Sequence, residues 1–475
     1  MDAFSGFYMC LSILISMGFL MTVDVQANPW KHIPPSTSSF ILPLYHRDDP
    51  TSPLRQGRTS REEEIGRGRV ASRMLRDMAR VEGISKRVGA TLKGHGKMAT
   101  KGGHTRADAT GRQNVSAPVN SDSGEFFTTM RVGYTDFQLV MDTGSDLVWL
   151  QCLPCTSCYQ QTGPLFDPRA SSTFAPVNCT SISCQQSDIM SCRGQSCQYQ
   201  QAYGDGSFTV GSMARENFYV DNYMIHAGLL MGCGHDNEGL FVGAAGLVGL
   251  GRGPLSLPSQ ISSHTFSYCL SSSGPGSFIL GHIDQVDNAS DRVYTPLLRS
   301  PEISVTFYYV PLIGFSIDGQ MVSSINPSDL LLQPTGGGGV IVDSGTVITR
   351  LVPSVYSALR DAFRQAAMAR GYRLILPGYS LFDTCYLRPS SNMRPFPSIE
   401  LHFQGGASIS LPSQNSMYSI DEENGLPIPL VCLAFASVGT SNDFSILGNV
   451  QQQGFLITFD TQASRIGFLS NQCSS

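Results

Sequence analysis

Two stretches decide the reading of this chain: QLVMDTGSDLVWLQC (138–152) and GVIVDSGTVITRL (339–351). In each, a short apolar run with strand-like content ends on an aspartate, and the aspartate opens a turn of hydroxyl, glycine, hydroxyl. Leu247-Val248-Gly249 ends 107 residues beyond Asp142, and Ile446-Leu447-Gly448 ends 105 residues beyond Asp343. The same two features in the same order at nearly the same gap predict two homologous lobes, divided near residues 295–305.

Outward from these motifs the chain reads as strands and turns. Gln138–Met141, Phe307–Val310, Gly339–Val342 and Phe455–Phe459 are apolar runs bounded by Gly, Pro, Asn and Ser. Val352–Met368 is the clear helical pattern, with Pro353 in its first turn. The expected class is mainly β, and 475 residues are ample for two lobes. Charged residues are 15% of the chain with 13 Cys, which excludes a disordered or fibrous protein.

The net charge of −5 hides an asymmetry. Residues 1–27 carry no Lys or Arg, are apolar from Phe7 to Val23, and end in Val25-Gln26-Ala27, which reads as a secretory signal peptide; an uncleaved anchor is the competing reading. Residues 28–112 hold 17 Lys/Arg against 8 acids, whereas residues 113–475 hold 15 Arg, 27 acids and no Lys. Within the basic piece, Val70, Met74, Met78 and Val81 recur at helical spacing with Arg69, Arg73, Arg76 and Arg80 between them, and Lys86–Arg112 reads as a Gly-, Lys- and Thr-rich linker. A basic piece between a signal peptide and an acidic body is expected to be a propeptide resting on that body. Binding of a nucleic acid or an anionic membrane is the other reading and is not expected.

The two aspartate motifs specify a chemistry. Gly144 and Gly345 leave amides able to point at a carboxylate, and the hydroxyls of Ser145 and Thr346 can donate to it. Pseudo-twofold symmetry between the lobes would bring Asp142 and Asp343 together, where two carboxylates share one proton over a wide acidic range. The ionised member then takes a proton from water while the protonated member donates to a scissile carbonyl oxygen. Such a reaction needs no metal and no cofactor. One motif alone would be an ordinary turn; the pair, each followed by apolar-apolar-Gly, is specific.

With these residues in view, the chain resembles the pepsin-like aspartic proteases, and within them the plant nepenthesin-like group. The resemblance rests on MDTGSDLVWLQC (141–152), AYGDGSFTVG (202–211), MGCGHDNEGLFVGAAGLVGLGRGPLSLPSQ (231–260), VIVDSGTVITRL (340–351) and FSILGNVQQQGFLITFD (444–460), with LYHRDDPTSPL (44–54) similar to the group's prosegment. It implies a bilobal acid-protease fold with a cleft between two β lobes, at 121–300 and 301–475, preceded by a signal peptide (1–27) and a propeptide with linker (28–120). It implies an aspartic endopeptidase made as a zymogen, with polypeptides as substrates and the propeptide as intramolecular inhibitor. Tyr203 would be the flap tyrosine over the cleft and Trp149 its hydrogen-bonding neighbour. A secreted monomer without stable membrane association is expected, with the apoplast as destination and the vacuole as alternative. A catalytically inactive pepsin-like binding or inhibitor protein is the rival reading.

Cys152, Cys155, Cys158, Cys179, Cys184, Cys192 and Cys197 crowd ahead of the flap, like the Cys-rich insert of nepenthesin-type enzymes. Read by spacing alone, 152–158 also allows an iron–sulfur or zinc site, but the expected compartment favours oxidation. Cys10 leaves with the signal, so six disulfides are expected from the other twelve Cys: Cys152 to Cys233 among themselves and, by resemblance, Cys385 with Cys432 and Cys269 with Cys473. Glycosylation sequons begin at Asn114, Asn178 and Asn288. One departure from the resemblance is Val132–Phe137, where the turn before the first catalytic strand is shortened.

Overall fold

In the computed structural model, the strand Thr135–Asp142 runs parallel to Gly246–Gly249, with Asp142 beside Gly249, and Gly246–Gly249 runs antiparallel to Trp149–Gln151. The second half repeats the arrangement. Val340–Val342 is parallel to Ser445–Leu447, which in turn pairs antiparallel with Thr349–Leu351 through Arg350 and Ile446. Each apolar-apolar-Gly segment therefore threads between the two arms of an aspartate loop, which is the physical cause of the repeat. At the crossing only a glycine fits: a Cβ on Gly249 would lie 2.3 Å from the backbone of Asp146, and one on Gly448 would lie 2.7 Å from that of Ile348.

The structure describes residues 39–55 except 48 and 50, 69–94, and 126–473 except 186, 204–205, 240, 242, 272–273, 283–290, 300–304, 391, 421–428, 440–443 and 471–472. The signal-peptide reading and the sequons at Asn114 and Asn288 lie outside these residues. Within them the protein is mainly β. A 15-stranded sheet joins both halves, because Leu456–Asp460 from the end of the chain pairs with Thr265–Cys269 in the middle on one side and with Arg465–Leu469 on the other. Next in that sheet come Gly276–Leu280, Phe40–His46, Phe126–Val132 and Thr135–Asp142. A strand of the basic N-terminal piece is thus built into the sheet between two strands of the body.

Among the described residues, that piece also holds the helix Arg69–Gly94. The linker was expected to begin at Lys86, but the helix continues to Gly94, because Ile84 and Val88 are buried in the main core and Lys86 pairs with Glu82 one turn back. The apolar face was expected to run Val70, Met74, Met78, Val81. Met74 and Val81 are buried and Val70 packs partly buried beside Met74, but Met78 is 47% exposed, and the buried stripe runs Met74, Asp77, Val81, Ile84 and Val88. The stripe keeps its three-and-four spacing by including an aspartate, which a purely apolar pattern search passes over.

The shortened Val132–Phe137 segment closes cleanly. Val132 pairs with Thr135, leaving a two-residue turn whose first position, Gly133, has φ 59°, as a type II′ hairpin requires. The helix Pro353–Ala369 starts on its proline and buries Val355, Tyr356, Leu359, Phe363 and Ala367 against the second half. Six disulfides are present among the described residues: 152–233, 155–158, 179–192, 184–197, 269–473 and 385–432. No described helix is long and apolar enough to cross a membrane.

Because its Cβ would meet backbone rather than a movable side chain, Gly448→Ala is expected to destabilise the fold by about 3 kcal/mol or more. Urea unfolding of the two proteins under one set of conditions measures this, read as the shift in midpoint at constant slope.

Candidate active site

Both aspartates end apolar strands and are almost fully buried, Asp142 at 1% and Asp343 at 0% exposure. Their turns satisfy them in the same way. Gly144 N–H donates to Asp142 Oδ1 at 2.9 Å and Ser145 Oγ to Oδ2 at 2.6 Å; Gly345 N–H donates to Asp343 Oδ1 at 3.2 Å and Thr346 Oγ1 to Oδ2 at 2.5 Å. The middle residues tie the loops together: Ser344 N–H donates to Thr143 Oγ1 at 2.9 Å, and Thr143 N–H donates to Ser344 Oγ at 3.2 Å. The sequence pattern gave donor roles to Gly144, Ser145, Gly345 and Thr346 but none to Thr143 and Ser344. Their reciprocal bonds are what place the two carboxylates side by side.

A third charged group lies between them. Arg80 Nη2 donates to Asp142 Oδ1 at 2.5 Å and to Asp343 Oδ1 at 2.8 Å, and Nε donates to Asp343 Oδ2 at 2.8 Å. Burial alone would raise the Asp343 carboxyl, but the Arg80 charge, with hydrogen bonds from Arg80, Thr346 and the Gly345 amide, holds it below the usual carboxylate range. Burial opposes the charge on Arg80, yet the two aspartates push its pKa well above the ordinary value. Arg87, two helical turns on, donates to Gly144 O at 2.9 Å and lies over the Phe307 ring. The interleaved arginines were visible in the sequence; that one of them reaches the dyad was not.

Other residues hold the loops from outside. Asn449 Nδ2 donates to Ser344 O at 3.0 Å and Gln452 Nε2 to Asp343 O at 3.1 Å, while Gln451 Oε1 accepts from Thr349 N–H and Oγ1. All three are buried, in the polar run that directly follows Gly448. Around the first loop, Asp146 accepts from Gly253 N–H at 2.8 Å and Thr306 Oγ1 at 2.7 Å. Burial still raises its pKa.

Tyr203 caps the site from the hairpin between Ser196–Ala202 and Phe208–Val220. Its hydroxyl accepts from Trp149 Nε1 at 2.8 Å, and Phe241 packs edge-on against both rings. Burial, then the Asp142 charge, keep the phenol neutral far above its ordinary range. The cysteine cluster Cys179, Cys184, Cys192 has sulfur atoms within 4.8 Å of one another, but those sulfurs are committed to the 179–192 and 184–197 disulfides and offer no thiolate to a metal. Asn178 is exposed, and its Oδ1 accepts from Thr180 N–H and Oγ1.

Two pseudo-symmetric aspartate loops in one cleft, beneath a tyrosine-bearing hairpin, are the architecture of a pepsin-like aspartic protease. The chain belongs to the plant branch of that family: residues 126–282 match the family described as Xylanase inhibitor N-terminal and residues 307–470 the one described as Xylanase inhibitor C-terminal. It is 42% identical over 419 residues to aspartyl protease family protein 2 of Arabidopsis thaliana, covering 85% of this chain and 81% of that one. It is 40% identical over 374 residues to aspartic proteinase nepenthesin-1 of Nepenthes gracilis, covering 77% and 82%. The fold is shared with the crystal structure of edgp, at a TM-score of 0.59 and 22% identity over 73% of this chain and 91% of that one.

Replacing Arg80 with Met removes the charge that lowers Asp343. The Asp343 carboxyl is then expected to titrate at higher pH than in the unaltered chain, which carboxyl-labelled NMR of the two proteins can follow.

Proposed function

We propose that the protein is a secreted aspartic endopeptidase made as a zymogen, in which Asp142 and Asp343 activate water against a peptide carbonyl and Arg80 blocks them in the full chain. The observation that carries this reading is the pair of carboxylates held by matching amide and hydroxyl donors and bridged by one guanidinium. With Arg80 gone, two adjacent carboxylates cannot both ionise readily and share a proton. The ionised one takes a proton from water as the water oxygen adds to the carbonyl carbon. The other gives its proton to the carbonyl oxygen. Collapse of the tetrahedral intermediate breaks the C–N bond as the leaving nitrogen is protonated.

Acid is the natural trigger. Asp343 has a low pKa with Arg80 in place and a higher one without it, so its ionised form favours the bound helix. That contribution is complete above the ordinary carboxylate range of about 4 and is lost as pH falls through the lowered value. Secretion is supported by the six disulfides and by the apolar N-terminus.

A catalytically inactive binding protein is the second reading, favoured by the matched families' description as xylanase inhibitors. The intact donor sets on both aspartates support the protease instead. Asp142→Ala and Asp343→Ala, compared with the unaltered protein on denatured globin between about pH 2 and 7, decide between them. The protease reading expects acid cleavage that is lost in each variant and blocked by pepstatin. No cleavage at any pH by folded, processed protein would remove it.

The N-terminal piece is held by a sheet strand as well as by the helix. A nick introduced between residues 113 and 123 at neutral pH is therefore expected to leave it attached, and acid to release it, as gel filtration of the nicked protein would show.

A further inference from the structure

Arg350 lies on the strand Thr349–Leu351, and its side chain is 4% exposed. Its Nε and Nη2 donate to Asp77 Oδ2 at 3.2 and 2.5 Å, and Val347 N–H donates to Asp77 Oδ1 at 2.5 Å. Both donors belong to the body of the protein, whereas the carboxylate belongs to the N-terminal helix. Among the described residues, the ion pair of Arg350 is with Asp77 and not with any acid of the body.

We propose that Arg350 and the Val347 amide form a carboxylate-binding subsite of the cleft, filled by Asp77 in the full chain and by an aspartate or glutamate side chain of a polypeptide substrate once the N-terminal piece has left. The proposal rests on the protease reading given above. Its position follows from the chain itself. Val347 directly follows Thr346, whose hydroxyl holds Asp343, and Asp77 precedes Arg80 by three residues on one helix. Three residues of helix advance about 4.5 Å, and an extended chain covers about 3.3 Å per residue. The subsite therefore serves a substrate side chain within about two residues of the scissile bond.

The chemistry points the same way. A guanidinium fork beside a backbone N–H matches a carboxylate in shape and charge. Departure of the helix leaves that cation in the wall of the cleft without its counter-charge, a costly state that an acidic substrate relieves. One turn earlier on the helix, Met74 is fully buried in an apolar cluster with Ile348, Phe382 and Ile420. The helix thus lies in the second half of the cleft as a cast: an apolar side chain, then an acid, then the cation on the dyad.

The test uses mature enzyme and a series of peptides that share one scissile pair and carry either Glu or Gln at each of the three positions on either side. At about pH 5 the Glu side chain is mostly ionised. The ratio of kcat/KM for Glu over Gln is expected to be about tenfold or more at one position and near one elsewhere. Arg350→Met should bring that ratio to near one, and Arg350→Lys should restore part of it. Because each ratio comes from one preparation, the fraction of folded enzyme cancels. A ratio near one at every position of the unaltered enzyme, or a preference that survives Arg350→Met, overturns the subsite and assigns the pair to attachment of the helix alone. Calorimetric binding of the same peptides to the Asp142→Ala protein, cut between residues 113 and 123 and freed of its N-terminal piece, separates the two readings. Tighter binding of the Glu peptide that depends on Arg350, together with no cleavage by the unaltered enzyme, retains the subsite and removes the protease reading. Equal binding of both peptides overturns the subsite.

Discussion

The reciprocal hydrogen bonds between Thr143 and Ser344 are the constraint on which the rest of this structure depends. Each joins a backbone amide of one loop to a hydroxyl of the other, in a buried setting where an unmade bond is costly. They fix the separation of two carboxylates that would otherwise repel. Everything outside serves to keep those loops still: the apolar-Gly strands threaded through them, Asn449, Gln451 and Gln452 behind the second, and Asp146 with Gly253 and Thr306 behind the first. The two lobes meet through polar contacts at the dyad and through a continuous sheet behind it.

The N-terminal piece exploits that rigidity in two ways. Its strand completes hydrogen bonding between Gly276–Leu280 and Phe126–Val132, so the attachment is backbone-specific. Its helix sets Arg80 on the dyad, Asp77 on Arg350 and Arg87 on Gly144 O, three ionic or charge-assisted contacts along one face. The overall attraction of a basic segment for an acidic body is weak and screened by salt. These buried pairs are geometric, and they convert a diffuse charge asymmetry into one defined pose. An acid of the helix meets a cation of the body at Arg350, against the direction of the net charges. Net charge alone therefore does not describe the interface.

Local pattern was sufficient for much of this. The mainly β class and the helix on Pro353 are short-range signals, and the paired aspartate motifs with their distant glycines are a repeated spacing; each has a physical cause and is present in the fold. The N-terminal helix was legible as a helix but not in its orientation or its length. A periodicity search ranks Met78 above Asp77, because it counts apolar side chains and has no knowledge of Arg350.

What the sequence by itself determined is therefore the composition of the candidate site: which aspartates, which glycines and which hydroxyls, since those depend on turns of four residues and on a repeated spacing. Only the tertiary structure decided which groups meet. Arg80 lies 62 residues from Asp142 and 263 from Asp343, and Asp77 lies 273 from Arg350. Contacts of that range are set by how a strand enters a sheet and how a helix settles into a cleft. Burial then makes one arginine in a row of similar arginines the partner of the dyad, a choice that no local property of the chain expresses.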